Sequence, residues 1–126
     1  MIEHGSIGLD FGSLRRAVER RELDRVLGFY AEKARLTIID ADAPLGPPFE
    51  LSGRAEIAKY LRAVFGREIL SRIEGEVVAD NRVEYREACE YPDGVLVRVR
   101  TTLEVAEGKI LRQIEVVSRE EGGGCT

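Results

Sequence analysis

The chain has 126 residues, 44% of them hydrophobic and 33% charged, with a formal net charge of −4. Such proportions fit one globular domain with a single core and exclude a disordered chain. No apolar run approaches the roughly 20 residues that cross a bilayer, and residues 1–10 lack the basic flank and apolar stretch of a signal peptide, so a cytoplasmic protein is expected.

Residues 1–10 are expected to form an N-terminal tail, 11–118 one domain, and 119–126 a flexible tail ending in Gly122-Gly123-Gly124 and Cys125. The domain opens with helical spacing: Phe11, Leu14, Ala17 and Val18 share a face, with Arg15, Arg16, Glu19 and Arg20 between them. Leu23, Val26, Leu27 and Tyr30 continue a helical face after a break near Arg21-Glu22, where Glu22 and Asp24 suit the first turn of a second helix. Residues 35–40, rich in Leu, Thr and Ile, read as a strand. Residues 41–51 carry Pro44, Gly46, Pro47 and Pro48 and read as a loop. Ser52 or Gly53 can cap a third helix with the apolar face Ile57, Tyr60, Leu61, Val64 and Phe65, ended by Gly66.

The period then changes from helical to alternating. Strands are expected at 71–80, 82–91, 94–106 and 109–118, joined by turns at Asp80-Asn81, Pro92-Asp93-Gly94 and Glu107-Gly108. Turns this short join antiparallel neighbours. Helices first and hairpins last predict an α+β domain, three N-terminal helices packed on a curved antiparallel sheet.

Strand parity selects the side chains that face the interior. In 82–91 the odd face carries Val83, Tyr85, Glu87, Cys89 and Tyr91, and Glu87 is the intruder on it. In 94–106 the odd face holds Val95, Val97, Val99, Thr101, Leu103 and Val105. In 109–118 the even face offers Ile110, Ile114 and Val116, and the odd face Leu111, Gln113, Glu115 and Val117, so parity alone does not choose. A buried carboxylate has its pKa raised toward the range useful for acid–base work. Glu87, Glu115 and Asp40, which shares the parity of Leu36 and Ile38, are the candidates. The plainer reading is that each lies at a strand end, pairs with an arginine or faces water.

Other chemistries find little support. The arginines are interleaved with glutamates and read as solvated helix surface, and tryptophan is absent, so a nucleic-acid footprint is not expected. With two cysteines, neither in a CxxC pair, and one histidine, His4, a zinc site lacks ligands. Cys89 reads as a small buried apolar residue.

Several short motifs resemble a known family. The stretch from Glu22-Leu23-Asp24 to Phe29-Tyr30-Ala31-Glu32-Lys33-Ala34, the helix entry Gly53-Arg54-Ala55-Glu56-Ile57, and Gly108-Lys109-Ile110 with Glu115 are similar, in order and spacing, to nuclear-transport-factor-2-like proteins. The nearest likeness is to the SnoaL-like polyketide cyclases and their steroid isomerase relatives. The resemblance covers about residues 11–118. It implies a cone-shaped fold enclosing a pocket, a small and largely apolar ligand, no metal or organic cofactor, and a homodimer formed through the outer sheet face. Aligned through Tyr30 to Ala34, the isomerase base position falls on Ile38, its tyrosine on Leu14 and its second acid on Thr101. Steroid-isomerase chemistry in its known form is therefore not expected. The cyclases' catalytic histidine also lacks a counterpart. The same alignment turns Gln113, Glu115 and Val117 toward the pocket.

Two functions follow from these residues. The first is a pocket protein that binds a small apolar molecule. The second is a cofactor-independent acid–base enzyme with Glu115, Glu87 and Asp40 as catalytic carboxyls. The expected lining for either is Tyr85, Thr101, Gln113, Tyr60, Ile38, Val99 and Val117. The apolar Leu96, Ile110, Ile114 and Val116 beside Arg98, Arg100 and Arg112 are the expected dimer surface.

Overall fold

The first helix, α1 (Phe11–Glu19), begins where Asp10 accepts the Ser13 backbone N–H at 3.1 Å, a side-chain cap on an otherwise unpaired donor. It buries the stripe Phe11, Leu14 and Ala17 in the computed structural model, which describes residues 9–43 and 46–120. His4 and Cys125 lie outside the described residues. Glu19 at the end of α1 accepts the Ile73 backbone N–H at 2.8 Å, and Arg15 reaches Glu76 at 3.3 Å, so this helix is tied to a sheet edge.

The second helix, α2 (Leu23–Leu27), is shorter than its apolar spacing predicts. Gly28 ends it, and Tyr30 opens the strand β1 (Tyr30–Asp40) instead of completing a helical face. A short strand β2 (Phe49–Ser52) also replaces the end of the expected loop, pairing antiparallel with β1 from Arg35↔Ser52 to Ile38↔Phe49. Gly53 then takes φ 91, a conformation open to glycine, and starts α3 (Arg54–Phe65). Glu56 accepts the Ser52 backbone N–H at 2.8 Å, which ties the first turn of α3 to the end of β2.

The remaining strands are β3 (Leu70–Val78), β4 (Arg82–Glu90), β5 (Leu96–Ala106) and β6 (Lys109–Glu120). β6 runs two residues beyond the expected boundary at 118, and the Arg119 N–H binds Asp42 Oδ2 at 2.9 Å. The six strands form one sheet in the order β2-β1-β6-β5-β4-β3. Every pairing is antiparallel except β1 with β6, which is parallel. The helices cover one face, which makes this an α+β fold of the expected class. No described helix is long and apolar enough to cross a membrane.

The sheet explains why parity could not orient β6. Glu104 pairs with Arg112 and Val105 with Ile110, leaving Leu111 as an extra residue. That bulge flips the alternation. Ile110 therefore points inward before it, and Gln113 points inward after it. Ile110, expected on the outer surface, is only 1% exposed.

Candidate active site

The register brings the inner-face residues into rungs across the sheet. Tyr85 of β4 lies opposite Thr101 of β5, which lies opposite Glu115 of β6. On the next rung Glu87 faces Val99, and Val99 faces Val117. Gln113 precedes Glu115 by two residues on the same inner face. Above these rungs stands α3, anchored by the buried Ile57 and Leu61. A cavity of about 150 Å³ lies between helix and sheet.

Its apolar wall comes from the helices: Leu14 and Val18 of α1, Val26 of α2, and Leu61, Val64 and Phe65 of α3. Its polar wall comes from the sheet. Glu87, Glu115, Gln113, Tyr85, Cys89 and the hydroxyl-bearing Tyr30 line it there, and Tyr60 reaches in from α3. Arg67 and Tyr91 lie at the rim, since both also border a shallower surface depression outside Phe65.

Among the residues expected in the site, Glu87, Glu115, Tyr85, Gln113, Tyr60, Val99 and Val117 line this one cavity. Three do not. Asp40 is exposed at the strand end, where its carboxylate accepts the Asp42 N–H at 2.9 Å and closes a turn. Ile38 packs against the hydrophobic core beside Glu115 in register, without lining the cavity. Thr101 is fully buried behind the wall, and its Oγ1 has no hydrogen-bond partner among the described residues.

Hydrogen bonds organise the polar wall. The Tyr30 hydroxyl donates to Gln113 Oε1 at 2.5 Å, and Gln113 Nε2 donates to Glu115 Oε2 at 2.5 Å. The Cys89 thiol donates to Glu87 Oε2 at 3.6 Å, and Ser71 Oγ lies 3.8 Å from the same sulfur. Burial, more than any other influence, pushes Glu115 up from the ordinary 4.5 to about 7; the Glu87 charge adds to this, and the Gln113 hydrogen bond opposes it. Burial raises Glu87 as well, against the hydrogen bonds from Cys89 and Ser71 and the charge of Arg21. Burial pushes the Cys89 thiol up to about 12, so it is no nucleophile near neutral pH. Burial also raises Tyr60, to about 12, and Tyr85. Among the described residues no three His, Cys, Asp or Glu side chains converge as a metal site would require.

Two carboxyls in one apolar cavity do not readily both ionise. Near neutral pH such a pair holds a proton that one member can give while the other accepts, which is the requirement for general acid–base work without a cofactor.

Sequence reasoning missed two residues here. The apolar spacing extends a helical face to Tyr30, whereas Gly28 after Leu27 is a stop signal that frees Tyr30 for a strand. Arg21 was read as solvated surface. It has φ 58, its guanidinium donates to the carbonyls of Val64 at 2.7 Å and Arg67 at 3.3 Å, and it lies 4.9 Å from the Phe65 ring centroid. It thereby holds the C-terminal end of α3 over the cavity mouth.

Comparison with solved structures returns the same architecture. A candidate ketosteroid isomerase from Kribbella flavida superposes with a TM-score of 0.71 at 12% identity, over 85% of this chain and 73% of that one. A candidate polyketide cyclase from Xanthomonas campestris gives 0.62 at 22% identity, over 84% and 85%. SalBIII, an epoxide hydrolase/cyclase-like enzyme with a role in pyran ring formation in the polyether salinomycin, gives 0.65 at 20% identity, over 85% and 86%. At these identities the likeness shows the fold. No match was found among curated proteins. The family model of the SnoaL-like domain matches residues 13–113, most of the chain, and ends within β6 before Glu115 and Val117. The chain therefore belongs to the SnoaL-like domain family.

Proposed function

We propose that this protein binds a small, largely apolar molecule in the cavity beneath α3 and performs acid–base chemistry on it with Glu115, assisted by Glu87. The observation that carries the reading is the convergence of two partly buried carboxyls on one cavity with an apolar wall, with Glu115 held at about 7. A group with that pKa is part protonated and part ionised at neutral pH, so it can act as acid or as base. The reactions that suit it are proton abstraction beside a carbonyl, ring closure, or water addition. All are compatible with the cyclase-like and isomerase-like proteins that share this fold.

The cavity sets the scale of the ligand. A volume of about 150 Å³ accommodates a single-ring molecule such as benzene. A steroid is larger than this space, and the isomerase positions are held by Ile38, Leu14 and Thr101. Both points support a reaction other than steroid isomerisation. Loss of those three groups also favours a second reading, binding without turnover.

The two readings separate by titration. Carboxyl-carbon chemical shifts followed from pH 3 to 9 should place the Glu115 midpoint near 7, and exchange of the α-protons of cyclohexanone in deuterium oxide should fall to background in Glu115→Gln. If both glutamates titrate near 4.5, the acid–base reading fails and the binding module is preferred.

A further inference from the structure

The inference below rests on the ligand-binding reading and names the chemistry of the ligand. Tyr30 and Gln113 are 3% and 5% exposed, and both carry polar groups into the cavity wall. Burying such groups is costly unless each is satisfied. An amide has one acceptor oxygen and two N–H donors. The Tyr30 hydroxyl occupies the oxygen, which fixes the amide orientation, and one N–H goes to Glu115 Oε2. The second N–H has no acceptor among the described residues. Glu115 likewise keeps one carboxyl oxygen outside this chain of hydrogen bonds.

We propose that Gln113, held in orientation by Tyr30, is a ligand-recognition residue. Its free amide N–H, beside the Glu115 carboxyl, takes an oxygen of the ligand, so the cavity selects small neutral molecules that carry a carbonyl, ether or epoxide oxygen on an apolar body. An anion would meet two carboxyls in the same cavity. A cation would leave the amide N–H without an acceptor. A hydrocarbon would fill the apolar wall and leave the same N–H unpaired. An acceptor oxygen satisfies it, and a protonated Glu115 can donate to that oxygen too. Tyr30 is a positioning residue here, because it acts on the ligand only through Gln113.

The test compares cyclohexanone with methylenecyclohexane, two rings of one shape that differ by the acceptor oxygen. Binding is followed by NMR titration, and the carbonyl stretch of bound cyclohexanone by infrared spectroscopy. The wild-type chain should bind the ketone about tenfold more tightly, the size of one well-made hydrogen bond, and the stretch should move to lower wavenumber. In Gln113→Met, which keeps the side-chain volume, the preference should shrink to about threefold or less and most of the stretch shift should revert. Affinity for methylenecyclohexane should hold. Tyr30→Phe should broaden the carbonyl band, because the amide is no longer pinned. A merely structural role would lower both affinities together. Equal affinities for the two probes, or an unmoved stretch in Gln113→Met, overturn the inference while leaving the pocket-binding reading standing. If neither probe enters the cavity, inference and reading fall together.

Discussion

Glu115 has a consequence for stability that does not depend on any substrate. Below about pH 4.5 its carboxyl is protonated in the folded and the unfolded chain alike, and the cavity costs nothing. Above about 7 it is ionised in both, and folding then has to bury the charge. Between these values the folded chain holds the proton that the unfolded chain has lost, so stability falls as pH rises through the window from 4.5 to about 7. The full step corresponds to on the order of 3 kcal/mol. Glu87, raised by the same cause, acts in the same direction. Glu115→Gln keeps the hydrogen-bonding shape and removes the charge. Its urea midpoint should exceed that of wild type at pH 8 and match it at pH 4. Equal differences at the two pH values would show that Glu115 is not held in its neutral form by the fold.

Helix α3 closes the cavity, and its two ends are fixed by different means. At the sheet side Ile57 is fully buried, and Ile57→Ala should cost about 2–5 kcal/mol through the transfer and cavity terms together. Phe65, a turn beyond Leu61, is only half-buried at the rim and covered by the Arg21 guanidinium. Phe65→Ala should therefore cost less than Ile57→Ala in urea unfolding, yet admit solvent to the cavity; a larger loss at Phe65 would reverse this assignment. The helix and its apolar face were legible in the sequence, because Ile57, Leu61 and Phe65 repeat at a period that no neighbour can change. Glu87 in β4 and the valines of β5 were legible for a similar reason, since those strands alternate without interruption. The orientation of β6 was not legible from parity, although the family likeness turned Gln113, Glu115 and Val117 inward. It depends on the bulge at Leu111, which is a property of how β5 and β6 meet. The β1 start at Tyr30 was hidden too, because its pairing with β6 is irregular between Tyr30 and Arg35. The polar wall of the site depends on both irregularities. Sequence alone could therefore name Glu115 and Gln113 as candidates but could not connect Gln113 to Tyr30.

At the scale of the whole molecule the sheet has one face under helices and one that no described helix covers. The uncovered face carries Leu96, Ile114 and Val116, each partly buried, and Ile39, which is 38% exposed. Ile110 no longer belongs to it. Around this stripe stand Arg98, Arg100 and Arg112, with Glu84 and Glu104 on the same face. Arg86 lies directly opposite Arg100 across β4 and β5, an arrangement that costs energy when nothing screens it. We propose a second copy of this chain as the occupant. A two-fold interface places each patch against its own equivalent, so apolar stripe meets apolar stripe and the partner's carboxylates can reach the arginines. Light scattering at micromolar concentration should give twice the 14.1 kDa chain mass. Val116→Glu should reduce it to one chain, because Val116 points outward while its neighbour Val117 lines the cavity. The same variant should keep the Glu115 titration near 7, since it changes only the face without helices. A wild-type mass of one chain would sink the proposal, and so would a Val116→Glu variant that stays paired. If instead Val116→Glu becomes monomeric and its Glu115 midpoint drops toward 4.5, the two faces are coupled, and the dimer is part of what keeps the cavity dry.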